Sequence, residues 1–332
     1  MTKRERIIKA VNHENTDFVP YSVDFTTEEL EKCIAYTGDK NFYENIGNHM
    51  INAGIGSFRA AEKPGHFIDH FNVVWDRTRD KDIGIVAKYQ IEDIKKYNYK
   101  FPEIDEKRVR ADIERVIKNK KDKFFIFDIG FSLFERAWTL AGMENLLESM
   151  ITAPEAVKGL MQRITDYNLK AIKLADGYKE IDAIMFGDDY GQQKGLIMGA
   201  KYWREFIKPY LAQMFKAAKK NGKFVFLHSC GDIEEIFPDL VEIGLNAYQT
   251  FQPEIYDIKK VKKEWGDKLT FWGGISTQQL LVQASPEEVE RVTRETIKIM
   301  SKGGGYIAAP THAMPRDIPV ENVLAMLKVF KN

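Results

Sequence analysis

A histidine and a cysteine lie two residues apart at the end of a short apolar run, Phe-Val-Phe-Leu-His-Ser-Cys-Gly (224–231). In an extended segment, residues i and i+2 point to the same side. His228 and Cys230 can therefore offer an imidazole nitrogen and a thiolate to one metal ion. The alternative is that each side chain packs in the core, as single histidines and cysteines at strand ends often do.

His312 is the natural third ligand, because Pro-Thr-His (310–312) follows another apolar run. If both runs are strands of one barrel, their ends meet at the same mouth although they are far apart in the sequence. Two imidazoles, one thiolate and one open position suit zinc, which accepts both nitrogen and sulfur donors. The alternative is that His312 caps a loop and Cys230 is buried and inert, since His-x-Cys is less specific than paired Cys-x-x-Cys motifs.

Short β-rich runs that alternate with helical periodicity indicate the elements that would position these ligands. The runs cover residues 19–24, 51–56, 124–129, 183–186, 224–228, 247–251, 269–273 and 306–309. Several are apolar on both faces, as is typical of parallel strands covered by helices. The pattern predicts the α/β class, with a single (β/α)8 TIM-barrel domain over residues 1–332. Residues 71–76 and 82–88 depart from it and predict a β-ribbon inserted near the N-terminal third, at the barrel mouth.

Polar residues collect where the predicted strands end, which is where barrel enzymes hold their catalytic groups. Asp188 and Asp189 follow residues 183–186 and must point in different directions. One is expected to hold a loop and the other to face the cavity as a ligand, a base or a partner of a ligand, and Asp188 is favoured for the cavity. Glu135, beside Arg136, is a candidate catalytic carboxylate or part of a salt bridge at a helix start. Candidate substrate-binding residues at these ends are Asp189, Tyr190, Gln249, Gln252 and Trp272.

Composition excludes several function classes. Lys plus Arg equals Asp plus Glu at 49 each, so no global field recruits nucleic acid or an anionic membrane. No signal-peptide core or membrane span is apparent, and with two cysteines there is no disulfide framework, so a cytoplasmic location is expected. No glycine-rich loop follows a strand and no Gly-x-Ser-x-Gly elbow occurs, which disfavours nucleotide binding and serine hydrolysis. Oligomeric state stays open.

Five motifs together resemble the uroporphyrinogen decarboxylase superfamily, and more narrowly its corrinoid-dependent methyltransferase branch. They are Gly-Asp-Asp-Tyr-Gly-Gln-Gln (187–193), Trp-Arg-Glu-Phe-Ile-Lys-Pro (203–209), Leu-His-Ser-Cys-Gly (227–231), Phe-Trp-Gly-Gly-Ile (271–275) and Pro-Val-Glu-Asn (319–322). The resemblance implies a zinc enzyme that moves a methyl group between a small molecule and the cobalt of cobalamin on a partner corrinoid protein. The sequence has no Asp-x-His-x-x-Gly motif, so we expect the corrinoid to arrive on that partner.

The chain departs from this branch at one ligand. The thiol methyltransferases of the branch use His, Cys and a second Cys, whereas His312 takes the last position here. A neutral imidazole in place of a thiolate leaves zinc a stronger Lewis acid, which suits polarising an ether oxygen. The favoured methyl donor is therefore a methyl ether, as in an O-demethylase system. Methylated alcohols, amines and thiols stay open as donors.

Three alternative functions also stay open. They are a methylcobalamin:thiol methyltransferase, a uroporphyrinogen-type decarboxylase, and a non-catalytic barrel that binds metal or corrinoid. The decarboxylase is disfavoured because the family version carries an arginine-containing segment near the first strand to hold carboxylates. Here that region reads Tyr-Ser-Val-Asp-Phe-Thr-Thr (21–27).

Overall fold

The computed structural model describes residues 1–79, 81–82 and 84–332. Within these ranges the strands are β1 (Met50–Gly54), β2 (Phe58–Ala60), β3 (His66–Asp69), β4 (Val74–Asp76), β5 (Ile85–Lys88), β6 (Phe124–Phe131), β7 (Ala183–Gly187), β8 (Gly191–Gln192), β9 (Gly195–Leu196), β10 (Phe224–His228), β11 (Ala247–Phe251), β12 (Thr270–Ile275) and β13 (Tyr306–Pro310). The α-helices are α1 (Lys3–Val11), α2 (Thr27–Thr37), α3 (Phe42–Asn45), α4 (Glu106–Asn119), α5 (Phe134–Ala141), α6 (Met143–Thr152), α7 (Pro154–Ala175), α8 (Gly199–Phe206), α9 (Lys208–Lys220), α10 (Phe237–Glu242), α11 (Ile258–Trp265), α12 (Leu280–Gln283), α13 (Pro286–Met300) and α14 (Val320–Phe330). A 3₁₀ turn (Glu234–Ile236) precedes α10.

Seven parallel strands form the central curled sheet, in the order β1-β6-β7-β10-β11-β12-β13. Each neighbouring pair is parallel, and every residue of β12 and β13 is buried, as expected for strands covered by helices. The order follows the chain, so each strand adds beside the previous one. This confirms the predicted TIM-barrel fold.

The predicted strand at residues 19–24 is wrong in extent, because only Tyr21 forms a β-bridge, with Ala308 of β13. Pro20 has no N–H to donate, and both backbone polar groups of Val23 bond to the Asn48 side chain instead of a strand. The carbonyl of Tyr21 accepts from the N–H of His49, just before β1. This segment therefore lies between the last and first strands and closes the ring with few hydrogen bonds.

The barrel interior is filled by aromatic and aliphatic side chains below the mouth. Phe124 and Phe226 stack with ring centroids 5.7 Å apart, and Phe226 meets Trp272 edge-on at 6.2 Å. Ile126, Met185 and Trp272 belong to the same buried cluster. This layer fills the barrel as a plug, and the open cavity lies above it. No helix in the described parts of the chain combines the length and apolar character that a bilayer crossing requires.

The insertion is a four-stranded antiparallel sheet, in the order β2-β3-β4-β5, between barrel strands β1 and β6. Pairing of β4 with β5 confirms the predicted ribbon, and β2 and β3 extend it. Ile83, within the predicted second ribbon strand, lies outside the described residues.

A buried ion pair joins the inserted sheet to the barrel. The guanidinium of Arg136 in α5 is 2.7 Å from the carboxylate of Asp69 in β3, and both side chains are almost fully buried. The other oxygen of Asp69 accepts from the N–H groups of Phe71 and Val73. The salt bridge expected near Glu135 is thus made by Arg136 with the insertion, which leaves the Glu135 carboxylate for the cavity.

Replacing Arg136 by methionine should destabilise the protein, because it leaves the Asp69 carboxylate buried without its counter-ion. We expect Arg136→Met to lower the free energy of unfolding by about 3 kcal/mol in urea titrations. Arg115→Met, which breaks an exposed pair with Asp112, should cost less than about 1 kcal/mol. Equal losses in the two variants would contradict the docking role of Arg136.

Candidate active site

A cavity of about 660 Å³ opens at the carboxyl ends of the barrel strands. The barrel plug forms its floor, and Trp75, Ile85 and Val86 of the inserted sheet form one wall. The polar side chains that line it are Asp24, Asn52, Asp128, Glu135, Asp189, His228, Gln249 and His312. The barrel thus brings together residues from seven segments that are distant in the sequence.

The three predicted metal ligands come together at this mouth. One donor atom each from His228, Cys230 and His312 lies within 4.8 Å of the others. The Nε2 of His228 is 3.7 Å from the Sγ of Cys230. In a tetrahedral zinc site with ordinary Zn–S and Zn–N bonds, neighbouring donors are about 3.3–3.6 Å apart. The donor set and its spacing therefore fit zinc after a small inward movement of His312, which is the exposed member.

Gln249 orients the first ligand. Its Oε1 is 2.7 Å from the Nδ1 of His228. An amide oxygen only accepts hydrogen bonds, so Nδ1 carries the proton and the lone pair of Nε2 faces Cys230. Metal-binding histidines usually donate their second ring N–H in this way. Gln249, predicted to bind substrate, lines the cavity and contacts His228, and this contact leaves the Nε2 of His228 available to a metal ion.

Asp189 brings negative charge to the same ligands. One of its carboxylate oxygens accepts from the backbone N–H of Cys230 at 2.8 Å and lies 3.5 Å from the Nε2 of His228. Burial raises the pKa of Asp189. The hydrogen bond and charge of His228, followed by the hydrogen bonds of Cys230, have a larger opposite effect, so the pKa of Asp189 is below its ordinary value. For His228 burial lowers the pKa, yet Asp189 and Cys230 raise it well above its ordinary value. The site thus favours positive charge at this point, whether a proton or a metal ion.

The preference for Asp188 as the cavity-facing carboxylate is corrected by the structure, because Asp189 lines the cavity and Asp188 is fully buried. Asp188 accepts from the Glu135 N–H at 2.7 Å, the Tyr190 hydroxyl at 2.8 Å and the Ser132 hydroxyl at 3.2 Å. Burial raises the pKa of Asp188 to about 6 against these hydrogen bonds. Asp188 therefore holds the start of α5, and through it the position of Glu135.

Two predicted substrate-binding residues hold loops and do not line the cavity. Tyr190 is fully buried and packs edge-on against Trp203. Gln252 is buried and accepts from the N–H of Gly231, next to the ligand Cys230. Both side chains point back from their strand ends towards the surrounding helices and loops. Trp272, by contrast, lines the cavity as predicted.

Glu135 presents its carboxyl group to the cavity from the first turn of α5. Burial, followed by the charges of Asp189 and Asp188, raises the pKa of Glu135 well above its ordinary value. A raised pKa favours the protonated form of the carboxyl group, and in that form it can donate a proton to a bound molecule.

Sequence reasoning missed two cavity carboxylates, Asp24 and Asp128. Asp128 is the one charged residue of β6, which is otherwise apolar. This charged residue in an apolar strand could have been used to predict a functional carboxylate. Asp24 ends the run at residues 19–24. Burial raises the pKa of both carboxyl groups.

The family model described as uroporphyrinogen decarboxylase (URO-D) matches residues 86–332, well over half of the chain. The protein belongs to the URO-D family. Curated URO-D relatives include the proteins named uroporphyrinogen decarboxylase from two strains of Coxiella burnetii, each 23% identical over 184 residues, covering 54% of this chain and 48% of theirs. The chain thus spans about half the length of these relatives.

Among solved structures, a methyltransferase from Methanosarcina mazei superposes with a TM-score of 0.76 and 16% sequence identity, covering 100% of this chain and 98% of that one. At this identity the likeness establishes a shared fold. The URO-D assignment predicted from the five motifs is confirmed, and the structural match is consistent with the predicted methyltransferase branch.

The Gln249 contact can be tested through metal affinity. We expect Gln249→Leu to weaken zinc binding about 10- to 100-fold in a competition titration with a chromophoric chelator, because His228 loses the acceptor that fixes its ring. Gln249→Glu retains an acceptor and should preserve affinity. Gln213→Leu, on the exposed face of α9, is the matched control. Unchanged affinity in Gln249→Leu would contradict the orienting role.

Proposed function

We propose that this URO-D protein is a zinc-dependent methyltransferase that moves a methyl group from a small methylated substrate to the cobalt of a corrinoid carried by a separate protein. The observation that carries the proposal is the convergence of His228, Cys230 and His312 on one cavity, with Gln249 holding His228 in the metal-binding tautomer. The methyltransferase-like fold and family membership agree with it. A cytoplasmic location stays a prediction from the sequence.

The ligand set decides what the metal contributes. Zinc bound by two neutral imidazoles and one thiolate would act as a Lewis acid towards the heteroatom that carries the methyl group. His228, Cys230 and His312 would hold it at the edge of the cavity. Asp189 keeps the Cys230 backbone and the His228 ring in place through its carboxylate.

Glu135 is proposed as the proton donor. For a methyl ether, the favoured donor, Co(I) supplies the electron pair of the new cobalt–carbon bond and is formally oxidised to Co(III). The carbon–oxygen bond breaks, its electron pair stays on oxygen, and oxygen takes the Glu135 proton. Solvent then returns a proton to Glu135. The raised pKa of Glu135 favours the protonated form that this step requires.

The rim near His312 is the proposed docking side for the corrinoid protein, since His312 is exposed there. The side chain of Trp75 in the inserted sheet is 2% exposed and lines the cavity, so it is not part of this proposed docking rim.

The cavity argues against a uroporphyrinogen-type decarboxylase. Among the described residues that line it, four are carboxylates and none is lysine or arginine. A substrate with several carboxylates would meet acidic residues and no lysine or arginine among the described lining residues. We therefore do not favour this alternative.

The test is metal analysis combined with methyl transfer. We expect about one zinc per wild-type chain, and loss of zinc and of methyl transfer to cob(I)alamin, by at least about 100-fold, in both Cys230→Ala and His312→Ala. The circular dichroism spectrum should not change, because barrel stability does not rest on the mouth. Cys33→Ala, at a buried cysteine of α2, should keep zinc and activity. Zinc retained in Cys230→Ala, or a wild-type protein that binds none when supplied with it, would overturn the ligand set.

A further inference from the structure

The cavity contains negative charge that the proposed zinc site does not balance. A Zn²⁺ ion there would be matched by the thiolate of Cys230 and the carboxylate of Asp189, and the raised pKa of Glu135 favours its neutral form. Asp24 and Asp128 remain. Within the described residues, neither forms an ion pair with lysine or arginine. Asp24 accepts from the Tyr43 hydroxyl at 3.1 Å, and Asp128 accepts from the Gly130 N–H at 2.8 Å.

Burial raises the pKa of Asp128, and the nearby charge of Asp24 adds to the rise. Two carboxyl groups that line one cavity, with no lysine or arginine of the described chain paired to either, are costly to ionise together. A positively charged group placed between them would be stabilised by both and would favour their ionised forms.

Aromatic rings surround the same space. Trp75 and Phe131 line the cavity with ring centroids 5.6 Å apart and planes tilted by 30°. Tyr89, Trp138 and Trp272 also line it. The face of an aromatic ring attracts cations, and methylated ammonium groups are recognised by such rings together with carboxylates.

Trp272 adds a hydrogen-bond donor. Its side chain lines the cavity and is 7% exposed, and within the described residues its indole N–H has no hydrogen-bond partner. A buried donor without a partner costs free energy unless a bound molecule supplies an acceptor. Because this nitrogen has almost no accessible surface, a ligand oxygen would satisfy it only after a movement of the Trp272 ring.

We infer that the methylated substrate carries an ammonium charge, held by Asp24 and Asp128 and by the aromatic wall of Trp75 and Phe131. The inference rests on the proposed function. That function places the methyl-bearing atom of the substrate at the metal site, and the inference describes the remainder of the same substrate. Ammonium-bearing methyl ethers combine both requirements. An oxygen for the metal and a cation for the carboxylates then lie on one small molecule.

A matched pair of probes separates charge from shape. O-methylcholine carries a methyl ether and a trimethylammonium group, and 1-methoxy-3,3-dimethylbutane replaces that nitrogen by carbon. We expect zinc-loaded protein to bind the cation at least about tenfold more tightly in calorimetric titrations. Asp128→Asn and Asp24→Asn should each reduce that preference several-fold without weakening the neutral ether. Asp166→Asn, an exposed aspartate of α7, should change neither affinity.

The outcomes separate this inference from the proposed function. Equal binding of the two probes, binding of neither, or a cation preference unchanged in both aspartate variants would overturn the ammonium inference. Methyl transfer to cob(I)alamin from both ethers at equal affinity would overturn it too, while leaving the methyltransferase proposal standing. A cation preference lost in the variants, without methyl transfer from either probe, would support the inference and count against the methyltransferase proposal.

Discussion

The pairing of β10 with β11 is the interaction on which the candidate site depends. In that register His228 lies opposite Gln249, so the strand ladder itself puts the amide oxygen beside the imidazole. The continuation of the sheet through β12 to β13 then brings His312, 84 residues further along the chain (312 minus 228), to the same mouth, with its ring centroid 5.8 Å from that of His228. Without the closed ring, the ligands would be too far apart to share an ion.

The two adjacent aspartates have different roles at the mouth of the barrel. Asp188 points inward, to the start of α5, and fixes Glu135 through the backbone. Asp189 points into the cavity and bonds the backbone of a ligand. A buried carboxylate with several hydrogen-bond donors rigidifies a site, while one near imidazole and thiolate favours positive charge. The inserted sheet forms one wall of the cavity, and the Arg136–Asp69 pair holds that sheet against α5.

Much of this arrangement could be predicted from local sequence. Apolar runs identified seven barrel strands, and the two-residue spacing of His228 and Cys230 placed both ligands on one side. The orientation of Asp188 could not be predicted, because it is set by Ser132 and the helix start at Glu135, more than fifty residues earlier in the chain. The segment at Tyr21 forms only a bridge because the Asn48 side chain hydrogen-bonds to the backbone of Val23. Hydrophobic periodicity cannot predict this side-chain contact. The shared cavity of Asp24 and Asp128 likewise depends on barrel closure.

The most direct test of the zinc site is X-ray absorption at the zinc edge of the purified, zinc-loaded protein. The account requires one sulfur at about 2.3 Å from zinc and two imidazole nitrogens at about 2.0–2.1 Å. One further light atom should contribute to the scattering of the first shell. In Cys230→Ala the sulfur contribution should disappear. A first coordination shell without sulfur, or with two sulfurs and a single imidazole, would contradict the assignment of His228, Cys230 and His312 as the ligands.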